Sequence, residues 1–293
     1  MFALLIKPGV HKRSKYATTI NNLVAQGAVV LMSTEVTGLK SELIALKAAN
    51  AEIALIACGG DGTVHLAMNA CFELEIDLAV IPMGTGNDFA RYIGVKNKGL
   101  GLATLQTGAP KPMDVGVIKL HNGEQHYFAG IASCGFDAEV NERANGYRGP
   151  AGTAKYLVAV FRQLSTLKAQ RLKLQIDAAT QVGEYTLIAI ANTNSYGGGM
   201  KVCPTADAYD GEFEITMVDR VSRSLLVRVL PRVFWGGHVK HPKVSQSVGQ
   251  FVSITDASPL IYADGERIGR GPASFDILPN AIRVWQAIPS QHP

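Results

Sequence analysis

Four short runs in the first third of the chain, FALLI (2–6), AVVLM (28–32), IALIA (53–57) and LAVI (78–81), contain no polar residue. A strand with no polar side must be covered on both faces, which is the condition of a parallel sheet inside an α/β layer structure. The segments between them, YATTINNLVAQ, KSELIALKAAN and TVHLAMNACF, place apolar residues at helical spacing and supply the cover. Residues 1–113 therefore read as a doubly wound parallel-sheet domain. Past Asp114 the rhythm becomes strand-like: VGVIKL, QHYFAGIASC, RLKLQID, YTLIAIAN, EFEITMV, FVSITD, LIYADGE, FDILP and IRVWQ. Helical stretches near 153–168 and 222–235 interrupt this series. Residues 114–279 are expected to form an antiparallel β-sandwich domain, and 293 residues suffice for two domains of roughly 100–200 residues each.

Several function classes are set aside by composition. FALLI is too short for the apolar region of a signal peptide, and no window approaches the roughly 18–20 apolar residues of a membrane span. Any work at a membrane is expected from its surface. Cys58, Cys71, Cys134 and Cys203 show no C-x-x-C spacing, which fits a reducing cytoplasm rather than a zinc site or disulfide framework. A formal net charge of +4 is too small to argue for nucleic acid. His65, His121, His126, His238 and His241 have no metal-ligand spacing and read as ordinary polar residues.

In IALIACGGDGTVHLAMNACF an apolar strand enters Gly59-Gly60-Asp61-Gly62-Thr63 and then a helix. That order aims the N–H groups of a helix N-terminus at whatever lies beyond the strand, as a phosphate site requires. Asp61 alone is equally compatible with a tight turn in which it caps the helix. The next strand repeats the arrangement in LAVIPMGTGNDFARYIG, where Gly84, Thr85 and Gly86 lead to Asn87-Asp88 and another helix. Two such turns at one edge of a parallel sheet favour a ligand over coincidental capping. A carboxylate beside a polyphosphate is intelligible if Mg2+ lies between them, since Mg2+ is commonly shared by carboxylates, water and substrate phosphates. The expected ligand is a nucleoside triphosphate and the expected chemistry phosphoryl transfer.

These residues resemble the diacylglycerol kinase catalytic-domain family, the branch of bacterial lipid kinases related to sphingosine and ceramide kinases. Its G-G-D-G-T stands at Gly59 to Thr63 and its P-x-G-T-x-N-D-F-A at Pro82 to Ala90. Further matches are MDVGVI (113–118), SCGFDAEV (133–140), YGGGMKVCPTADAYDGEFEI (196–215) and YADGE (262–266). The resemblance implies an N-terminal nucleotide-binding domain completed by residues 280–293, and a C-terminal β-sandwich. It implies that Gly59, Gly60, Asp61, Gly62 and Thr63, with Gly84, Thr85, Asn87 and Asp88, bind ATP, and that Thr34 contacts the nucleotide. A structural Mg2+ is implied at Asp210, with backbone carbonyls at Asp207 and Glu212. Asp264-Gly265-Glu266 matches the segment that supplies the proton acceptor for the lipid hydroxyl, with either carboxylate eligible. Read alone, the same residues are an Asp-Gly hairpin turn with two solvated acids.

The chain departs from the family pattern at Lys7-Pro8-Gly9, where N-P-x-x-G is usual, and at Gly38-Leu39-Lys40, where G-D-A is usual. Ala129 replaces the asparagine of F-x-N. From Arg220 to Thr255 there is no acid, while Arg220, Arg223, Arg228, Arg232, Lys240 and Lys243 all occur. Such a segment is either a core-packed helix with a solvated basic edge or a surface that meets anionic lipid. The expectation is a cytoplasmic ATP-dependent lipid kinase, peripheral at the inner membrane surface, acting on diacylglycerol or a related lipid; nucleic acid is not expected as a partner, and a homodimer is left open. The alternatives are a sphingoid, ceramide or phosphatidylglycerol kinase, one of the distantly related soluble kinases that use a G-G-D-G-T loop on NAD, against which the C-terminal matches argue, and a nucleotide- or lipid-binding protein that has lost catalysis.

Overall fold

The computed structural model describes residues 1–7, 14–50, 52–135, 138 and 168–286. The helix expected near 153–168, Pro8-Gly9, most of 136–140 and residues 287–293 lie outside the described residues, apart from Lys168 and Ala138. The chain divides into two compact units, Met1–Met113 with Asn280–Pro293, and Asp114–Pro279.

The first unit alternates β1 (Phe2–Ile6), α1 (Ser14–Ala25), β2 (Val29–Leu31), α2 (Val36–Ala49), β3 (Ala54–Gly59), α3 (Asp61–Cys71), β4 (Asp77–Pro82), α4 (Asp88–Tyr92) and α5 (Lys98–Thr107). The strands lie in the order β2-β1-β3-β4, all parallel. Leu4, Ile6, Ile56, Cys58 and Ile81 pack on one face with Tyr16, Ile20 and Leu23 of α1. The alternating residues Leu5, Leu55 and Ala57 are also buried and must face the other side. There α3 packs on β3, β4 and α2, and contributes buried Ala67 and Met68. This is the doubly wound α/β layer expected from the apolar runs, although AVVLM supplies the edge strand β2, where Val29 and Val30 are exposed rather than covered on both faces. Because the strand order reverses at β1, the loops after β1 and β3 part to opposite sides, which is where such sheets receive ligands.

Helix α2 begins at Val36, ahead of the expected KSELIALKAAN, and so takes in Gly38-Leu39-Lys40. Leu39 is fully buried. Lys40 reaches Glu73 at 2.6 Å. Leu39 of Gly38-Leu39-Lys40 is thus a core side chain.

The second unit contains β5 (Ala109–Leu120, which starts in the first unit), β6 (Gln125–Phe128), β7 (Ile131–Gly135), β8 (Gln170–Ile176), β9 (Ala179–Ala191), β10 (Phe213–Asp219), α6 (Arg223–Val229), β11 (Val244–Gly249), β12 (Phe251–Thr255), β13 (Leu260–Ala263), β14 (Glu266–Arg270) and most of β15 (Ala273–Gln286). Its strand pairs are antiparallel, and β9 is the hub, joined to β7, β8 and β10. Inward side chains from these strands form one core in which Phe128 and Phe213 stack at 5.7 Å. A second cluster, with Ile131, Ala189, Met200, Val202 and Cys203, covers the opposite side of β9.

FDILP and IRVWQ are one strand, β15, which pairs antiparallel with β12 through Asp276 and parallel with β4 at Val284. QHYFAGIASC is two strands, parted at Ala129-Gly130. β5 begins earlier than VGVIKL, and its first half is not legible in the sequence because Pro110 and Pro112, which argue against a strand, sit there.

Leu39→Asp, which restores the family's acid, is expected to bury an unpaired carboxylate and lower stability by roughly 3 kcal/mol or more in urea unfolding. A wild-type midpoint would mean that α2 does not seat this residue in the core.

Candidate active site

The two glycine turns of the first unit touch through their backbones. A Cβ placed on Gly84 would lie 2.5 Å from the Cα of Gly60, and one on Gly60 would lie 3.1 Å from the Cα of Gly84. Neither position tolerates a side chain without separating the turns. The N–H of Met83 donates to the carbonyl of Gly59 at 2.8 Å, which continues the β3–β4 ladder into the turns. Asn87, at φ 53°, accepts from the N–H of Gly84 at 3.0 Å and donates to its carbonyl at 3.1 Å. Thr85 is exposed at the tip, Gly62 is exposed beside it, and Thr63 is buried against Gly59. Thr34 is exposed in the loop that follows β2.

The two aspartates have different roles. No side chain caps α3 at Gly60. Instead the Oδ1 of Asp61 accepts the N–H of Phe89 at 3.2 Å, so Asp61 caps the neighbouring helix α4 and ties the first turn to the second. A Cβ on Gly86 would lie 2.7 Å from the Oδ2 of Asp61, so this glycine makes room for the carboxylate. Asp88 is 6% exposed and accepts from the Arg91 guanidinium at 2.6 Å. Arg91 also donates to the carbonyl of Gly86 at 2.8 Å. Asp88 is therefore neutralised within the protein, while Asp61 is only half-buried at the edge of the turn. Beneath them, burial pushes the Cys58 thiol up to about 12, which removes it from thiolate chemistry.

In the second unit, Asp264 (φ 52°) and Gly265 (φ 83°) form a two-residue hairpin turn between β13 and β14. Asp264 is not a solvated acid. Its Oδ2 accepts from Ala129 N–H at 3.0 Å and its Oδ1 from Gly130 N–H at 2.9 Å. Glu266, two residues on, is exposed. The sequence reading overlooked Asn192, which is fully buried and donates to the carbonyls of Asp114 and Ala129 at 2.8 and 2.9 Å. Asp114 in turn accepts from Gly211 N–H at 2.8 Å, inside the loop of Asp207, Asp210 and Glu212. These bonds connect the expected metal loop to the Asp264 turn. Asp114 lies in the MDVGVI motif and was within reach of a sequence argument; a lone asparagine after a strand gives no such signal.

Asp210 accepts from Glu212 N–H at 2.9 Å. Among the described residues no three His, Cys, Asp or Glu side chains converge as a metal group. A cation in this loop would accordingly have one carboxylate, backbone carbonyls and water, a hard oxygen set that suits Mg2+. Nearby, Glu214 is 4% exposed and holds Thr205 through its N–H at 2.8 Å and its hydroxyl at 2.5 Å, with Gln246 as a further donor.

An apolar cavity of about 90 Å³ lies under α6, lined by Leu187, Tyr196, Met200, Leu226, Val229 and His238 among others. His238 is buried there, contrary to its reading as an ordinary polar residue. Its Nε2 lies 3.0 Å from the carbonyl of Val202, to which it donates in the neutral tautomer, and its Nδ1 has no hydrogen-bond partner among the described residues. Burial lowers its pKa from the usual 6.5, partly offset by the Val202 bond.

Fold and site together define a two-unit chain: an α/β unit with a phosphate-type edge followed by an antiparallel β unit. Residues 7–118 match the family model described as "Diacylglycerol kinase catalytic domain", and residues 130–286 match "YegS C-terminal NAD kinase beta sandwich-like domain". A curated diacylglycerol kinase of Mycobacterium tuberculosis is 37% identical over 245 residues, 83% of this chain and 79% of that protein. One of Staphylococcus aureus is 33% identical over 236 residues, 79% of this chain and 73% of that protein. The crystal structure of a diacylglycerol kinase from Bacillus anthracis shares the fold, with a TM-score of 0.70 at 19% identity over 97% of this chain and 96% of that one. The chain belongs to the diacylglycerol kinase family, a family of lipid kinases.

Gly84→Ala is expected to weaken ATP binding at least about tenfold in calorimetry and to lower stability by about 1–3 kcal/mol, because two backbones must move apart. Unchanged affinity would separate these turns from the nucleotide. For His238, a depressed pKa means that the fold holds the neutral ring, so protonation favours the unfolded chain. Its contribution is retained above the ordinary value of 6.5 and lost progressively as pH falls below it. His238→Gln should therefore flatten the fall in Tm between about pH 7.5 and about 5.5; an unaltered slope would place the proton uptake elsewhere.

Proposed function

We propose that the protein transfers the γ-phosphoryl group of ATP to the free hydroxyl of diacylglycerol, working from the surface of a membrane. The paired glycine turns carry this reading, because backbone N–H groups at the start of α3 can receive phosphate oxygens without a side chain in the way. Gly59 to Thr63, Gly84, Thr85, Asn87 and Thr34 would bind the nucleotide. Asp61 is the carboxylate suited to hold Mg2+ directly or through water, since Asp88 has Arg91. Mg2+ when bound would neutralise charge on the phosphates. No helix among the described residues is long and apolar enough to cross a membrane.

In the reaction the lipid hydroxyl oxygen forms a bond to the γ-phosphorus as the bond to the bridging oxygen of ADP breaks. The hydroxyl proton must pass to a base. Asp264 has both oxygens engaged by backbone N–H groups of Ala129 and Gly130, which aim them into the turn, whereas Glu266 is exposed. Glu266 is the base in this reading and Asp264 the positioning residue that holds its turn. The cavity beneath α6 would receive part of an acyl chain. A structural Mg2+ at Asp210, with the carbonyls of Asp207 and Glu212, would stiffen the loop that Asp114 and Asn192 connect to Asp264.

The test is transfer of labelled γ-phosphate to diacylglycerol, sphingosine, ceramide and phosphatidylglycerol in detergent micelles. Diacylglycerol is the expected acceptor, and label on another lipid alone would replace it. Glu266→Gln should lower kcat by roughly 100-fold or more at an unchanged Tm. Asp264→Asn should lower both activity and Tm. Full activity in Glu266→Gln would remove it as the base.

A further inference from the structure

The stretch without acids, Arg220 to Thr255, is not a uniformly core-packed helix. Through α6 and the 3-10 turn that follows it (Leu230–Trp235) the chain presents two faces. Leu225, Leu226, Val229 and Val233 turn inward and line the apolar cavity. Ser224, Val227, Arg228 and Pro231, at i, i+3, i+4 and i+7, are exposed. The outer face continues through Arg232 and Phe234 to Trp235, which is 65% exposed. A Cβ on Gly237 would lie 2.6 Å from the indole Nε1 of Trp235, so the ring rests across this glycine while most of it faces water.

The charge on this face has one sign. Arg228, Arg232 and Lys240 are exposed, and no carboxylate pairs with them among the described residues. Two nearby acids are already engaged, Glu184 by Arg220 at 3.2 Å and Asp219 by Lys243 at 3.9 Å. Lys201 adds an exposed cation alongside, since its N–H donates to the carbonyl of Val233 at 2.9 Å. Exposed Trp and Phe beside unpaired cations is the composition that partitions into the headgroup region of an anionic bilayer.

We propose that the outer face of α6 and its 3-10 turn, with Val227, Phe234 and Trp235 as apolar contacts and Arg228, Arg232, Lys240 and Lys201 as cationic ones, docks the protein on an anionic membrane. The choice of a bilayer as occupant rests on the lipid-kinase reading above: the opposite face of the same helix lines the apolar cavity. Docking there would put one turn of helix between the bilayer and the place for an acyl chain.

The experiment measures sedimentation with phosphatidylcholine vesicles, with and without phosphatidylglycerol, for wild type, Arg228→Glu/Arg232→Glu and Phe234→Ala/Trp235→Ala. The charge variant should lose about tenfold or more in affinity for the anionic vesicles. The aromatic variant should lose several-fold on both vesicle types. In a Trp285→Phe background Trp235 is the sole tryptophan, and brominated acyl chains should quench it. Wild-type binding by both variants, or an unquenched Trp235 in protein of unchanged Tm, overturns the docking surface. Phosphorylation of a short-chain diacylglycerol in detergent micelles is expected to be equal in all three proteins. Its absence from all three, with vesicle binding as described, would overturn the kinase reading and leave the surface standing.

Discussion

Two backbones meet at Gly60 and Gly84 with no side chain between them, and the architecture of the first unit's sheet edge follows from that approach. The close contact brings the turn after β3 beside the turn after β4. It lets the Asp61 carboxylate cross from one to the other and cap α4 at Phe89. A charge-assisted bond of this kind is worth about 1.5–3 kcal/mol. The carboxylate in the middle of a phosphate-type loop thereby has a structural function that does not conflict with an anion nearby. Arg91 does the same service for Asp88, whose burial would otherwise be costly.

The second unit uses a comparable device. A hairpin turn that could have carried two solvated acids has one of them gripped by the N–H groups of Ala129 and Gly130, and this grip separates β6 from β7. Asn192 and Asp114 extend the same set of bonds to the loop around Asp210. Asp264 is thereby fixed at its turn, while Glu266 two residues on stays exposed.

Much of this was legible in the residues. Uninterrupted apolar runs signal a parallel sheet because nothing else can cover them, and the repeated strand, glycine turn and Asp signal a shared ligand edge. What escaped was whatever depends on partners distant in the chain. β11 (VSQSVG) and β14 (ERIGR) have too few apolar residues to register as strands, since each has only one buried position. Asp61 reads as a cap of the helix it precedes and in fact caps the next one. The carbonyl of Ala129 is reached by the amide of Asn192, a partner 63 residues away in the chain. Leu39 shows the opposite case, in which a departure from a family motif is absorbed by the core.

On the proposed function, the two glycine turns act as one nucleotide site. Hydrogen exchange of the wild-type protein with and without ATP and Mg2+ tests it most directly, because every non-proline backbone N–H in the turns reports. The amides of residues 59–64 and 84–89 should gain protection together and at the same nucleotide concentration. Protection of one turn without the other, or of neither while the protein demonstrably binds ATP, would contradict it.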